Sequence, residues 1–178
     1  KNKDKKSKSS IDNFESPDFY NLDDLLTQEH KMIRNSIRDF VKKEISPFIE
    51  DWSEKNYFPS EIVGKMGEIG IFGPTTSEKY GGGGLDYISY GIIMQEIERG
   101  DSGMRSTASV QSSLVMFPIE EYGSEEQKNK FLPKLASGKI LGCFGLTEPD
   151  HGSNPSGMKT KCEDKGDYYL LNGSKMWI

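Results

Sequence analysis

Histidine and cysteine are almost missing from this 178-residue chain, which has two of each: His30, His151, Cys143 and Cys162. Two cysteines cannot build a disulfide framework, and with no secretory signal they read as reduced thiols in a reducing compartment. No Cys/His cluster offers a zinc site, and no metal is expected. Apolar runs are short, and none approaches the roughly 18 residues a transmembrane helix needs. Positive charge is outnumbered, 23 Lys+Arg against 28 Asp+Glu for a net charge of -5. That balance leaves no basic footprint for nucleic acid or for an anionic membrane. The hydrophobic share is 34%, lean beside an apolar fraction of roughly 45–50% in ordinary domains, counted with glycine. The 19 glycines fill part of that gap, and 11% aromatics argue against wholesale disorder.

What the chain does contain is divided unevenly. Residues 1–17 form a basic, apolar-poor tail, opening with Lys1, Lys3, Lys5, Lys6 and Lys8. It has nothing to bury and is expected to be disordered. It lacks the arginines and amphipathic pattern of a transit peptide, which favours a bacterial cytoplasm over a mitochondrial matrix, although a processed mature chain would look the same.

From about residue 20 to 138 the period is helical. Thr27 is placed to cap a helix whose face carries Ile33, Ile37, Phe40, Val41 and Ile45, continued after Pro47 by Phe48, Ile49 and Trp52. His30 falls in its first turn and is expected to be exposed. Ser60 starts a short helix with Ile62, Val63, Met66 and Ile69 inward, ended by Gly70. Gly81 to Gly84 must be loop. Asp86 caps a third helix carrying Ile88, Ile92, Ile93 and Ile97, and a break at Asp101-Ser102-Gly103 precedes a fourth with Val110, Leu114, Val115 and Ile119 inward. Ser124 and Gln127 form a capping box for a fifth, which Pro133 restarts or kinks.

After Gly138 the period changes. Residues 139–146, 158–162, 168–171 and 174–178 read as strands, with Asn172-Gly173 as a hairpin turn between the last two. Cys143 and Cys162 are expected as small core residues of these strands. Helices followed by strands make a two-domain pattern: an N-terminal all-α domain over 18–138, then over 139–178 the first strands of a sheet. Such a sheet reads as cut mid-strand, so the chain reads as a fragment.

The segment richest in chemistry is Phe144-Gly-Leu-Thr-Glu-Pro-Asp-His-Gly-Ser153. Thr147 and Ser153 offer hydroxyls, and Gly152 lets backbone N–H groups come close to a ligand. Taken alone, this is ordinary punctuation between strands or a ligand cradle. It is neither a Walker loop nor a dinucleotide fingerprint. His151 there is expected to be a solvated loop residue.

Leu146-Thr-Glu-Pro-Asp-His-Gly-Ser153, Asn172-Gly173 and Lys175-Met-Trp-Ile178, following helices and a Tyr80-Gly81-Gly82 loop, resemble the acyl-CoA dehydrogenase family. Glu96-Ile-Glu-Arg-Gly-Asp-Ser-Gly-Met-Arg105-Ser106 is similar to its glutaryl-CoA dehydrogenase branch. The resemblance implies FAD-dependent α,β-dehydrogenation of an acyl-CoA thioester, with glutaryl-CoA decarboxylated to crotonyl-CoA and electrons passed to an electron-transfer flavoprotein. It implies a β-barrel-like or β-sandwich middle domain begun by these strands and a C-terminal helical bundle missing from this chain. It also implies a homotetramer, and a catalytic glutamate in that C-terminal domain, so that no residue of this chain is the base and the chain alone is inactive. By motif position Arg105 and Ser106 would meet the distal carboxylate of the substrate, Glu98 would orient Arg105, and Ser153 would reach phosphate or the ligand beside it. Phe144, Gly145, Leu146, Thr147, Gly152 and Ser153 would contact the flavin or its pyrophosphate, with Trp177 and Ile178 against the ring. Asn154 stands where the family usually has Asp.

The other readings stay open at this point. Arg105 and Glu98 also read as a solvated surface pair, and Trp177 as a sheet-face aromatic. A dehydrogenase of simple or branched acyl-CoA, or a non-catalytic helical binding module, are the alternative functions.

Overall fold

The computed structural model describes residues 17–178, and the expectation for the basic tail falls almost wholly outside them. The chain forms two compact units, one ending at Gly142 and the other spanning Cys143–Ile178.

The first unit is helical. Helix α1 (Gln28–Glu44) starts at a capping box in which Thr27 Oγ1 accepts the His30 N–H and His30 Nδ1 accepts the Thr27 N–H. An imidazole here takes the place usual for Glu or Gln. His30 is 6% exposed, not solvated as expected. Its Nε2 lies 3.0 Å from the carboxylate of Asp86, which caps α4 (Tyr87–Gly100), so the ring is drawn inward between two helix starts. Because Nδ1 must accept the Thr27 N–H, Nε2 carries the proton and donates to Asp86.

The inward face of α1 is as spaced, with Ile37, Val41 and Ile45 buried and Ile33 and Phe40 packed beside them. Helix α1 packs on α4 through this face, and the contact is close. A Cβ at Gly100 would lie 2.6 Å from a Val41 methyl. Between them run the short α2 (Ile49–Glu54) and α3 (Ser60–Glu68), whose Ile62, Val63 and Met66 join the core. Gly70, at φ 77, ends that segment in the left-handed region.

The predicted fourth helix is three successive segments: α5 (Ser102–Ser109), a π-helical stretch (Val110–Met116) and α6 (Phe117–Tyr122). The wider π turn shifts the angular phase. Met116 is consequently buried, whereas Leu114, expected inward, is exposed. Ile88, in the first turn of α4, is also exposed, contrary to the spacing. Helix α7 (Glu125–Ala136) begins with the Ser124/Gln127 capping box and runs through Pro133 as one element.

The second unit holds the two strands assigned among the described residues. Strands β1 (Lys161–Asp164) and β2 (Tyr169–Asn172) pair antiparallel, with Lys161 opposite Asn172 and Asp164 opposite Tyr169. The reversal uses Lys165–Tyr168, with Gly166 at φ 88 and its N–H on Asp164 Oδ1. Asn172-Gly173 is therefore not the hairpin turn. Gly173 instead passes against Thr160, where a Cβ would meet Thr160 Oγ1 at 2.0 Å. Cys143 and Cys162 are exposed, not core residues; Cys162 lies in β1, where every residue is exposed because neither face of the ladder is covered within this unit.

Two expected strands are irregular. In 139–146 the backbone groups are claimed elsewhere: Ile140 N–H donates to Lys134 O, Ile140 O accepts from Gln111 Nε2, and Gly142 N–H donates to Gln111 Oε1. In 174–178 the Met176 N–H reaches Thr147 O, and Trp177 at φ 59 interrupts the extended chain. The outcome is a helical unit followed by a two-stranded one, the fold class expected.

Candidate functional site

The first cluster is built by the turn between α4 and α5. Asp101 ends α4, and its Oδ1 accepts the Met104 N–H to cap α5. Reversing direction at one residue brings the last turn of α4 against the first turns of α5, so side chains seven positions apart can meet. Arg105 Nε donates to Glu98 Oε2 at 2.5 Å, and Ser102 Oγ donates to Glu98 Oε1 at 2.7 Å. Arg105 first, then Ser102, holds the Glu98 carboxyl below its usual range. Arg105 Nη1 lies 3.4 Å from Ser109 Oγ. Ser106 is exposed, and its carbonyl accepts from Ser109 Oγ.

Thus Glu98 takes the inner edge of the guanidinium and leaves the Nη edge with donors to spare. Such an edge can bind a carboxylate through two parallel bonds. Within this unit the side chains of Arg105 and Glu98 are 36% and 45% exposed. An ion pair so exposed adds little stability, which leaves the geometry without a strong structural purpose of its own.

The second cluster is the loop after Cys143. Phe144, Leu146, Trp177 and Ile178 are exposed, Trp177 at 89%. The hydroxyls of Thr147 and Ser153 have no hydrogen-bond partner among the described residues. Gly152 has open space on its side-chain face, and a Cβ at Gly145 would come into ordinary van der Waals contact with Lys175 and Ile178. A planar group with an apolar face and polar edges finds matching surfaces here. His151 is not solvated as expected. Both ring nitrogens are covered without a partner, and the ring lies against Gly157.

Sequence reasoning missed the residue that shapes this loop. Glu148 is 4% exposed. It accepts the Lys159 N–H at 2.6 Å, the Thr160 N–H at 3.0 Å and a proton of Lys175 Nζ at 3.0 Å. Hydrogen bonding from Thr160, then from the Lys159 amide, lowers its pKa to about 2. The one available signal was an acid beside proline in a loop that otherwise reads as polar punctuation.

A cavity of about 210 Å³ in the first unit is lined by Thr75, Tyr87, Tyr90, Ser112, Ser113 and Phe117, none of them a predicted site residue. No group of metal-binding side chains exists among the described residues, and none of their helices is long and apolar enough to cross a membrane.

The model of the acyl-CoA dehydrogenase N-terminal domain matches residues 27–139. The chain belongs to the acyl-CoA dehydrogenase family. It is 44% identical over 160 residues to a glutaryl-CoA dehydrogenase of Desulfococcus multivorans, an alignment covering 88% of this chain and 41% of that protein. Its structure superposes with a TM-score of 0.85, at 48% identity, on glutaryl-CoA dehydrogenase from Mycobacterium smegmatis in complex with FADH2, covering 89% of this chain and 41% of the other. A glutaryl-CoA dehydrogenase in complex with glutaryl-CoA matches at TM-score 0.82 and 44% identity, over 85% and 39% of the two chains. The chain therefore spans about two-fifths of the length of these relatives.

Proposed function

We propose that this chain is the N-terminal part of an FAD-dependent acyl-CoA dehydrogenase acting on glutaryl-CoA, oxidising it between the α and β carbons. The observation that carries the substrate reading is the Arg105 guanidinium, held on one edge by Glu98 with donors to spare on its Nη edge. A dicarboxyl-acyl thioester brings a second carboxylate into an otherwise apolar slot, where an unpaired charge is costly. Arg105 would bind that carboxylate, Ser106 would add a hydroxyl donor, and Glu98 with Ser102 would fix the plane of the guanidinium.

The second unit would hold the cofactor. Thr147 would hydrogen-bond the flavin edge, Phe144, Gly145 and Leu146 would line it, and Gly152 and Ser153 would reach phosphate or the ligand beside it. Trp177 and Ile178 would pack on the ring. When bound, FAD supplies the hydride acceptor. None of the described residues is assigned as the base that takes the α-proton, and that group is proposed to be a glutamate outside them. Loss of the distal carboxylate as CO₂, transfer of electrons to an electron-transfer flavoprotein and assembly as a homotetramer complete the reading, which the similarity to glutaryl-CoA dehydrogenases supports.

The test uses the complete gene product. A yellow protein bleached by glutaryl-CoA supports the reading, and a colourless one that takes up no FAD refutes it. Arg105→Gln is expected to lower kcat/KM for glutaryl-CoA by about 100-fold, the loss of a charge-assisted bond of about 2–3 kcal/mol. Turnover of butyryl-CoA should be nearly unchanged. Equal turnover of glutaryl-CoA by wild type and variant would transfer the reading to simple or branched acyl chains.

A further inference from the structure

In the second unit, two segments far apart in sequence are fastened to each other around one buried carboxylate. Lys175 Nζ lies 3.0 Å from the Leu146 carbonyl oxygen and 3.0 Å from Glu148 Oε1, with Met158 Sδ at 3.4 Å. The next residue, Met176, donates its N–H to Thr147 O at 2.9 Å. Leu146, Thr147 and Glu148 are thus each tied to Lys175 or Met176. Glu148 is in turn fixed by the Lys159 and Thr160 amides.

A carboxylate this covered needs its partners. Among the described residues Lys175 is the one cationic side chain bonded to it, and that side chain is itself only partly exposed. Removing one member of such a pair leaves an uncompensated charge in a poorly solvated place, which displaces the segment instead of merely weakening it. The segments joined here present Thr147 and Trp177. The Thr147 side chain makes no hydrogen bond of its own among the described residues, and Trp177 is almost fully exposed. The bonds are thus spent on the backbone carbonyl of Thr147 and on the neighbours of the two residues, leaving the hydroxyl and the indole available.

We propose that Glu148 and Lys175 are positioning residues that clamp the 146–148 loop to the 175–176 segment, so that Thr147 and Trp177 meet the flavin in one fixed arrangement. This rests on the FAD reading above. The clamp is a second layer: neither residue needs to touch the cofactor, and their effect is carried by the residues they hold.

The experiment compares the complete wild-type protein with Lys175→Met, Glu148→Gln and Lys175→Arg, reading the FAD dissociation constant and the visible absorbance and circular dichroism of the bound flavin. Lys175→Met and Glu148→Gln are expected to weaken FAD binding by about tenfold or more and to alter the flavin bands, since a displaced contact commonly costs that much or more. Lys175→Arg keeps the charge and restores binding to within about threefold, a rescue that a simple packing role would not give. Wild-type affinity and unshifted flavin spectra in both Lys175→Met and Glu148→Gln would overturn the proposal. If those variants fail to fold, hydrogen exchange on the wild type decides. The Lys159, Thr160 and Met176 amides are expected to exchange slowly both with and without flavin, and rapid exchange in the flavin-bound protein would overturn the clamp. A wild-type protein that never takes up FAD sinks the functional reading itself, whereas one that binds FAD and is indifferent to the variants sinks the clamp alone.

Discussion

Gln111 is the residue whose replacement tests the helical unit most sharply. It sits in the π-helical stretch, is 1% exposed, and uses nearly its whole hydrogen-bonding capacity. Its Nε2 donates to Leu135 O and to Ile140 O, both at 2.9 Å, and its Oε1 accepts the Gly142 N–H at 2.9 Å. Leu135 O belongs to the last turn of α7, where carbonyls lack their i+4 partner, and it also accepts the Gly138 N–H at 3.1 Å. The side chain therefore ties the end of α7 to the irregular segment that follows it.

Gln111→Leu keeps the volume and removes all three bonds. Each contributes about 1 kcal/mol net, and a buried group left unpaired costs about 1–3 kcal/mol. The Leu135 carbonyl keeps the Gly138 N–H, while Ile140 is exposed and Gly142 half-buried, within reach of water, so none of the three groups is left wholly unpaired. Counting three lost bonds of about 1 kcal/mol each and about 1 kcal/mol returned by leucine burial gives a loss of about 2 kcal/mol. Gln111→Glu should be worse at neutral pH, because an ionised carboxyl turns an acceptor toward the Leu135 and Ile140 carbonyls. Its pKa would be raised in the folded state, so the extra loss appears above the unfolded carboxyl pKa and shrinks as the pH falls. Urea unfolding followed by far-ultraviolet circular dichroism at neutral and mildly acid pH measures both effects. A Gln111→Leu penalty below about 1 kcal/mol, or a Gln111→Glu penalty that does not shrink in acid, would refute the bonding scheme.

Other perturbations probe separate joints. His30→Phe fills the space but removes both the Thr27 cap bond and the Asp86 contact; a loss of about 1–2 kcal/mol is expected in denaturant titration, and an unchanged midpoint would count against the bridge. Gly100→Ala should destabilise by about 1 kcal/mol or more despite alanine's better helix propensity, since its methyl would strike Val41; a higher melting temperature would contradict the close α1–α4 approach. Asp86 is lowered from 3.8 to about 2 by the Ser89 amide, then the Ser89 side chain and His30. A depressed carboxyl contributes stability present above its unfolded pKa and lost as pH falls through the folded one. Unfolding midpoints should therefore drop between about pH 4 and about pH 2, and drop less in Asp86→Asn; parallel curves for the two proteins would exclude this source of acid sensitivity.

The helices were legible because their signals are local. Thr27, Asp86 and Ser124 cap where their spacing to the first apolar turn places them, and the buried face of α1 follows the 3.6-residue period. The Glu98–Arg105 pair was legible through the likeness of Glu96 to Ser106 to a family motif; spacing alone read the two as a solvated surface pair. The π stretch was not, because one extra residue per turn leaves the composition unchanged and shows only in which side chains are buried. Strand boundaries were also poorly placed. A strand exists by virtue of a partner, and 139–146 has its backbone groups claimed by Gln111 and the end of α7 instead.

The remaining surprises are all polar and buried. His30 meets Asp86 across 56 residues, and Glu96, 1% exposed, receives Arg38 through two bonds across 58. Gln111 reaches Ile140 and Gly142, while Glu148 draws in Lys159, Thr160 and Lys175. Hydrophobic periodicity is blind to such residues, because it counts them as solvent-facing. Their desolvation is tolerated only where distant donors or acceptors converge on them, so each marks a junction between segments that local rules treat separately. In a chain with a lean apolar inventory these junctions carry an unusual share of the work of fixing element against element. The candidate flavin loop depends on one of them, since Thr147 can be left free to meet a ligand because Glu148 beside it is held by three others.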